Sequence, residues 1–323
     1  MHERNEAGAT YGWGVVFSDI ALSFLQDADP AFFSKFTAHH QRCDHMEVIH
    51  RGVAVPLRGN HFSRTSRIGL LRVLQDACAE AGVEIRYGSR VNDPAELPDA
   101  DLIVAADGVN SEVRTRLAEH FKPSFEVRRN KFAWYGTHQL FHPVSLIFRE
   151  TEYGVFIAHS YQYSHELSTF LVEVDPDTWH RAGLDTATEE ESRASARRCL
   201  PMTSAAIRCS AIARTGSRPA WCRTSTGRTA RSYCSAMRCA ACISRWAREP
   251  HGHAGRHRAV RRGLRTPRRC AGRVSGVEDS RRDASAKFQD AARRSLDWYE
   301  SVDRKMKLDP VALPMTTCCA PAA

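Results

Sequence analysis

The chain has 323 residues, of which 42% are hydrophobic, so it is long enough for two domains with a buried core. No apolar run approaches the roughly 18 residues of a membrane span, and the N-terminus lacks a signal-peptide pattern. We therefore expect a soluble, cytoplasmic protein. The formal net charge is +9, but residues 193–282 alone contain 22 arginines, no lysine and 3 acidic residues. The rest of the chain is acidic, which argues against a general nucleic-acid-binding surface.

The first two motifs lie in the N-terminal quarter. The opening block M-H-E-R-N-E-A-G-A-T-Y-G-W-G-V-V-F-S-D places a carboxylate, Glu3, before a string rich in glycine and aromatic residues. The segment F-S-R-T-S-R-I-G-L-L-R-V-L-Q then begins a predicted helix containing Arg67. Its apolar face comprises Leu70, Leu74, Ala77, Cys78 and Ala81. Gly82 is expected to end this helix before an alternating strand at 83–87.

The third motif is D-L-I-V-A-A-D-G-V-N-S-E-V-R, at residues 101–114. Residues 102–106 are short and apolar, as in a parallel strand covered on both faces. Asp107 and Gly108 follow directly, and glycine lets the backbone approach a ligand closely. The motif therefore points a carboxylate and a bare backbone at a ligand.

The chain then changes to a run of strands. Four stretches between residues 132 and 175 are rich in β-branched and aromatic residues, and they predict a mixed sheet. This predicted sheet includes His138, His159 and Tyr161. Each of them is equally well explained as a packed strand residue or as a substrate contact. Near the end, an amphipathic helix is marked by Phe288, Ala292, Leu296 and Tyr299.

The three motifs, in this order and spacing, resemble those of the flavin-dependent aromatic hydroxylases. The likeness covers residues 1 to about 195 and is closest to the branch acting on coenzyme A thioesters, the salicylyl-CoA and 2-aminobenzoyl-CoA monooxygenases. It implies an α/β fold with a three-layer, Rossmann-like FAD-binding domain and a mixed β-sheet substrate domain, incomplete in this chain. It also implies an oxidoreductase in which FAD, NADH or NADPH, and O2 hydroxylate an aromatic acyl-CoA.

The resemblance also implies cofactor-binding residues. Glu3 matches the acidic residue that ends the second strand and binds the adenosine ribose of FAD. Arg67 matches the arginine of the family's R-x-x-L-x-x-x-L helix, beside the flavin, and Asp107 with Gly108 matches its D-G motif for FAD and the nicotinamide donor. Taken alone, Glu3 is better explained as a solvated terminal charge and Arg67 as a surface helix residue; three matches in register reverse this preference and favour the cofactor site. No catalytic acid or base is assigned.

One expected motif does not occur. The family's first strand leads into a Gly-x-Gly-x-x-Gly turn and a helix that hold the FAD pyrophosphate. Here Met1 lies only two residues before the matched ribose carboxylate. We therefore expect an N-terminally truncated chain with weak or absent FAD binding and little hydroxylase activity.

Residues 193–285 form an aberrant segment that holds seven of the eleven cysteines. It has no helical or strand period, and its composition predicts disorder. Read in a shifted frame, residues 233–250 can encode L-L-G-D-A-V-R-S-V-H-F-S-V-G-S-G-T, which resembles the family's second FAD motif. In the remaining frame, residues 251–259 can encode the following helix, M-A-M-Q-D-A-I-A-L. The segment therefore indicates a frameshift over about 197–285.

Two other functions compete for this segment. Cys239 and Cys242, with His251, His253 and His257 downstream, are zinc-ligand types, but no core residues would hold a metal. The run R-H-R-A-V-R-R-G-L-R-T-P-R-R resembles a phosphate-binding patch, but few aromatic residues accompany it. We expect neither a metal site nor specific nucleic-acid binding; a non-catalytic product of a decayed gene is the main alternative.

The predicted organisation has four regions. A partial FAD-binding domain spans 1–120, and a substrate-domain sheet spans 121–192. The aberrant segment spans 193–285, and a C-terminal helix lies within 286–310. The sequence does not reveal the oligomeric state.

Overall fold

The computed structural model describes residues 1–10, 12–100, 103–108, 110–200, 220–223, 232–234, 286 and 289–317. For 220–223 and 232–234 it describes the backbone alone. Within the segment 193–285, predicted to be disordered, residues 193–199 instead continue a helix with Ser195, Ala196 and Cys199 buried, and 220–223 and 232–234 form strands. Beyond residue 200, the rest of that segment lies outside the described residues, as do the zinc-ligand types at Cys239, Cys242, His251, His253 and His257, the basic patch, Phe288 and nearly all of the shifted-frame sequence. No helix within the described residues is long and apolar enough to cross a membrane.

A mixed sheet of seven strands occupies the centre of the protein. In chain order its strands are β1 (Gly14–Ser18), β2 (Gln41–His50), β3 (Val53–Ser66), β6 (Lys131–Thr137), β7 (Val144–Thr151), β8 (Gly154–Gln162) and β9 (Ser168–Val174). The spatial order is β1-β3-β2-β7-β8-β9-β6, with β2 parallel to β7 and the other neighbours antiparallel. The four strands predicted between 132 and 175 are confirmed.

Three strands of this sheet come from the first part of the chain. β2 joins β7 with Val48 opposite Leu146, so strands from residues 14–66 and from 131–174 form one sheet. The sheet thus draws on both sides of the boundary that the sequence placed at residue 120. Local periodicity does not reveal the pairing of strands so distant in the chain.

Helices cover both faces of the sheet. On one face, α6 (Pro176–Arg181) and α7 (Glu189–Cys199) pack over Phe156 and Phe170. On the other face, α8 (residues 289–300) and α9 (Ala312–Met315) contribute Trp298, Tyr299 and Leu313. Ala292, Leu296 and Tyr299 are buried, which confirms the amphipathic helix for its described residues.

Helices α1 (Asp19–Ala28) and α2 (Pro30–Thr37) follow β1. Residues 67–87, which follow β3, pack more loosely than the central sheet. Helix α3 (Arg67–Glu80) forms as predicted and ends at Gly82, whose φ is +69°, but none of its residues is buried and Leu74 is 41% exposed. The strand predicted at 83–87 is wrong. This extended segment has a single parallel bridge among the described residues, between Arg86 and His2, and so lacks the continuous pairing of a strand.

A second, small parallel sheet carries the Asp-Gly motif. β4 (Ile103–Ala105) pairs with β11 (Ser232–Cys234), which confirms the predicted parallel strand. Ala105 is buried but Val104 is 48% exposed, so the expected cover on both faces is wrong. Two short helices, α4 (Glu112–Arg116) and α5 (Ala118–Phe121), follow, and β5 (Ser124–Val127) then pairs with β10 (Ala220–Arg223).

Candidate functional site

The turn after β4 presents Asp107 at the carboxyl end of a parallel strand. Asp107 Oδ2 accepts a hydrogen bond from the Val113 backbone N–H (3.3 Å). Asp107 Oδ1 is buried and has no hydrogen-bond partner among the described residues. A buried carboxylate oxygen without a donor is costly. The geometry therefore suits a ligand that brings a hydroxyl or amide donor to this oxygen.

Gly108 has a backbone reason to be glycine. Its φ is +90°, a left-handed conformation that other residues rarely adopt. A Cβ built on it would meet no described atom within 4 Å, so the space beside its Cα is open among the described residues. Arg114 Nη1 donates to the Gly108 carbonyl (3.3 Å) and fixes the turn against α4.

Arg67 lies where the central sheet meets the start of α3. Ser66 ends β3 and caps α3, because its Oγ accepts a hydrogen bond from the Gly69 N–H (3.0 Å). The Arg67 backbone N–H donates to the Trp13 carbonyl (2.9 Å). The Arg67 guanidinium lies 5.5 Å from the ring centroid of Trp134 on β6. Arg67 thus contacts both the segment before β1 and the strand β6, whereas the sequence alone also allowed a surface helix position.

Gly14, at the start of β1, contacts strands β8 and β9. The Gly14 N–H donates to Thr169 Oγ1 (3.1 Å), and the Tyr161 hydroxyl donates to the Gly14 carbonyl (3.0 Å). A Cβ on Gly14 would lie 2.8–2.9 Å from atoms of Thr169, Tyr161 and Tyr163. Burial raises the pKa of Tyr161, against the opposing effects of the Thr169 hydrogen bond and the Arg67 charge. Tyr161 therefore serves packing at this junction.

Glu3 lies beside the segment that follows α3. Its N–H donates to the Arg86 carbonyl and its carbonyl accepts from the Ser89 N–H, both at 2.9 Å. Glu3 Oε1 accepts from the backbone and side-chain N–H groups of Asn5, both at 2.8 Å. At least one oxygen of the Glu3 carboxylate is therefore hydrogen-bonded within the N-terminal turn itself.

Contacts of neighbouring residues connect the three predicted segments in pairs. A Cβ built on Gly8 would lie 4.0 Å from Ile68, so the N-terminal segment borders the start of α3. Residues 86–89 hydrogen-bond with Glu3 in the N-terminal segment, and Arg90 directly follows them. Arg90 forms an ion pair with Glu112 (2.5 Å) at the start of α4. Glu3, Arg67 and Asp107 are therefore linked through their neighbours.

A second polar group lies inside the sheet. His159 Nε2 and Glu173 Oε2 are 3.0 Å apart, and Asn130 Nδ2 donates to Glu173 Oε1 (2.8 Å). All three residues are buried, and the His159 ring packs against Tyr299 of α8. Of the histidines considered from sequence, His159 is thus an internal packing residue, whereas His138 is exposed after β6.

Comparison with known proteins identifies the relatives. Over 185 residues, 57% of the chain, it is 42% identical to a salicyloyl-CoA 5-hydroxylase from Streptomyces sp., of which it covers 36%. Over 202 residues, 59% of the chain, it is 37% identical to protodeoxyviolaceinate monooxygenase from Chromobacterium violaceum, of which it covers 52%. The chain is homologous to aromatic monooxygenases. It spans between about a third and about half the length of these relatives.

The fold is that of the flavin-dependent hydroxylases. The structure of 2-methyl-3-hydroxypyridine-5-carboxylic acid oxygenase matches with a TM-score of 0.70 at 14% identity, over 96% of this chain and 90% of that one. PqsL of Pseudomonas aeruginosa, in complex with 2-aminobenzoylacetate, matches with a TM-score of 0.65 at 15% identity, over 94% and 90%. No family model matches the chain.

For a flavin-hydroxylase fold, the chemistry of Asp107 and Arg67 suits FAD. Asp107 offers a carboxylate oxygen without a described donor, and FAD carries hydroxyl donors. Arg67 offers a cationic group beside the indole of Trp134, which suits an anionic or aromatic group. Sequence reasoning missed Trp134 because an aromatic residue on a strand is an ordinary core signal.

Proposed function

We propose that the chain represents an FAD-dependent monooxygenase that hydroxylates an aromatic acyl group carried as a coenzyme A thioester, with NADH or NADPH and O2. The observation that carries this proposal is the buried Asp107 oxygen at the carboxyl end of a parallel strand, where such folds bind ligands. The similarity to a salicyloyl-CoA hydroxylase supports the thioester class. The electron donor follows from the sequence resemblance alone.

Four residues are proposed to contact FAD. Asp107 and Glu3 accept hydrogen bonds from its hydroxyl groups, Gly108 holds the turn, and Arg67 provides positive charge at the edge of the sheet. When bound, FAD supplies the redox chemistry. The protein's part is to bind and orient cofactor and substrate. The thioester substrate and O2 are its proposed partners.

A second candidate is that the chain is a non-catalytic product of an altered reading frame. The shifted-frame block begins in β11, which pairs with β4 so that Cys234 lies opposite Ala105. The codons of Ala236 and Met237 can encode aspartate in that frame. Position 236 follows Cys234 by two residues, as Asp107 follows Ala105. The shifted frame can therefore encode an acidic residue two positions after Cys234, the same interval at which Asp107 follows Ala105.

The two candidates are separated by comparing two proteins. One is the chain as given, and the other carries the shifted-frame residues at 233–259. Both are incubated with FAD, NADH or NADPH, salicyloyl-CoA and isotopically labelled O2, and the product is analysed by mass spectrometry. Label incorporated only by the second protein supports the hydroxylase function and the altered frame. Incorporation by the chain as given excludes the non-catalytic candidate, and no incorporation by either contradicts the hydroxylase proposal.

A further inference from the structure

We infer that Trp134 is a positioning residue that holds the Arg67 guanidinium at the FAD site. The inference rests on the proposed function, because it assigns Arg67 a role towards FAD. It adds a residue of the central sheet to the cofactor site. It also connects the sheet to the start of α3 through one side-chain pair.

The geometry fixes Arg67 at both ends. Its backbone N–H donates to the Trp13 carbonyl (2.9 Å), and its guanidinium carbon lies 5.5 Å from the Trp134 ring centroid. Trp134 is itself confined, because a Cβ built on Gly12 would lie 3.4–3.5 Å from its ring. The ring is a platform whose position is set by β6 and by the segment before β1.

The indole of Trp134 interacts with Arg67 through the face of its ring and not through its N–H group. Its Nε1 is buried and has no hydrogen-bond partner among the described residues. An unpaired buried N–H is unfavourable, and phenylalanine would avoid that cost. Tryptophan, however, attracts a cation more strongly than phenylalanine does. The indole is therefore explained by its contact with Arg67 rather than by a hydrogen bond.

The inference predicts a graded and conditional effect on FAD affinity. Binding to the full chain is measured by FAD fluorescence for Trp134→Phe and Trp134→Leu, each with Arg67 present and in the Arg67→Met background. With Arg67 present, affinity falls in the order Trp, Phe, Leu, by about two- to fivefold overall. In the Arg67→Met background the three residues at position 134 give equal affinities. Arg72→Met, an exposed change on the same helix, leaves the order intact.

A second readout needs no cofactor. The coupling between positions 67 and 134 is measured by urea unfolding of the same variants, and the inference requires non-additive effects for this pair and additive effects for 72 and 134. Additive effects at 67 and 134 in both measurements overturn the inference. If Arg67→Met leaves FAD affinity unchanged while the unfolding coupling persists, the proposed cofactor role of Arg67 fails and the inference fails with it. An unchanged Trp, Phe, Leu order in the Arg67→Met background overturns the inference alone.

Discussion

Arg64 connects the two parts of the central sheet, and its substitution tests that architecture. The side chain is fully buried in β3. Its guanidinium donates to four backbone carbonyls, those of Gln41 (3.3 Å), Arg42 (3.4 Å), Phe141 (3.3 Å) and His142 (3.2 Å). Two acceptors belong to β2 and two to the loop before β7. We expect Arg64→Met to lower the free energy of unfolding by about 2–4 kcal/mol.

The magnitude follows from two opposing contributions. The four N···O distances are at or beyond the long end of the usual range, so each bond is taken at about 1 kcal/mol, and loss of all four costs about 4 kcal/mol. Burial lowers the pKa of Arg64, against a weaker opposing effect of Cys43, so keeping the guanidinium charged inside the protein has its own cost. Methionine removes that cost, which offsets part of the loss.

The assay is urea unfolding followed by circular dichroism. Arg58→Met is the matched control, because Arg58 lies on the same strand and is exposed, so we expect a change within about 0.5 kcal/mol. If both variants unfold at the same urea concentration, the hydrogen bonds from the Arg64 guanidinium to the four carbonyls do not contribute to the free energy of unfolding. The proposed link between the two groups of strands would then be wrong.

Three further outcomes follow from local contacts. Burial and nearby cationic side chains lower the pKa of His40 from 6.5 to about 4, so the unfolded chain binds more protons in this window and stability falls as the pH decreases through it. His40→Asn should flatten that decrease in pH-dependent urea unfolding. Gly14→Ala should lower the free energy of unfolding by about 1–3 kcal/mol because its Cβ overlaps three side-chain atoms; an unchanged melting temperature would contradict this. Arg128→Met, which loses ion pairs to carboxylates including Glu300, should speed proteolysis within α8, whereas exposed Arg129→Met should not.

The sequence predicted elements better than their pairing. The strands between 132 and 175 and the helix at α8 show local periodicity, which depends only on which face is buried. The placement of β2 beside β7 depends on residues almost a hundred positions apart, so no local pattern contains it. The segment 83–87 alternates like a strand, yet a strand also needs a partner of matching length.

The candidate site was predictable only in part. The Asp-Gly turn follows from an apolar strand and a glycine that the backbone requires at φ +90°. Trp134 could not be identified, since the string K-F-A-W-Y predicts only a packed strand. Its contact with Arg67 arises because the segment before β1 and the start of α3 lie against β6, although β1 and β6 are at opposite ends of the strand order; this is a property of the assembled sheet.

The most direct test of the account is an FAD titration of the full chain and of Asp107→Ala, followed by flavin fluorescence. The account predicts saturable, weak binding that Asp107→Ala weakens about tenfold or more, as expected for loss of a hydrogen bond to a charged group. Asp76→Ala, an exposed change on α3, should leave the affinity unchanged. Equal FAD affinity for the original chain and Asp107→Ala, or no saturable binding by either, would contradict the assignment of this turn to the cofactor.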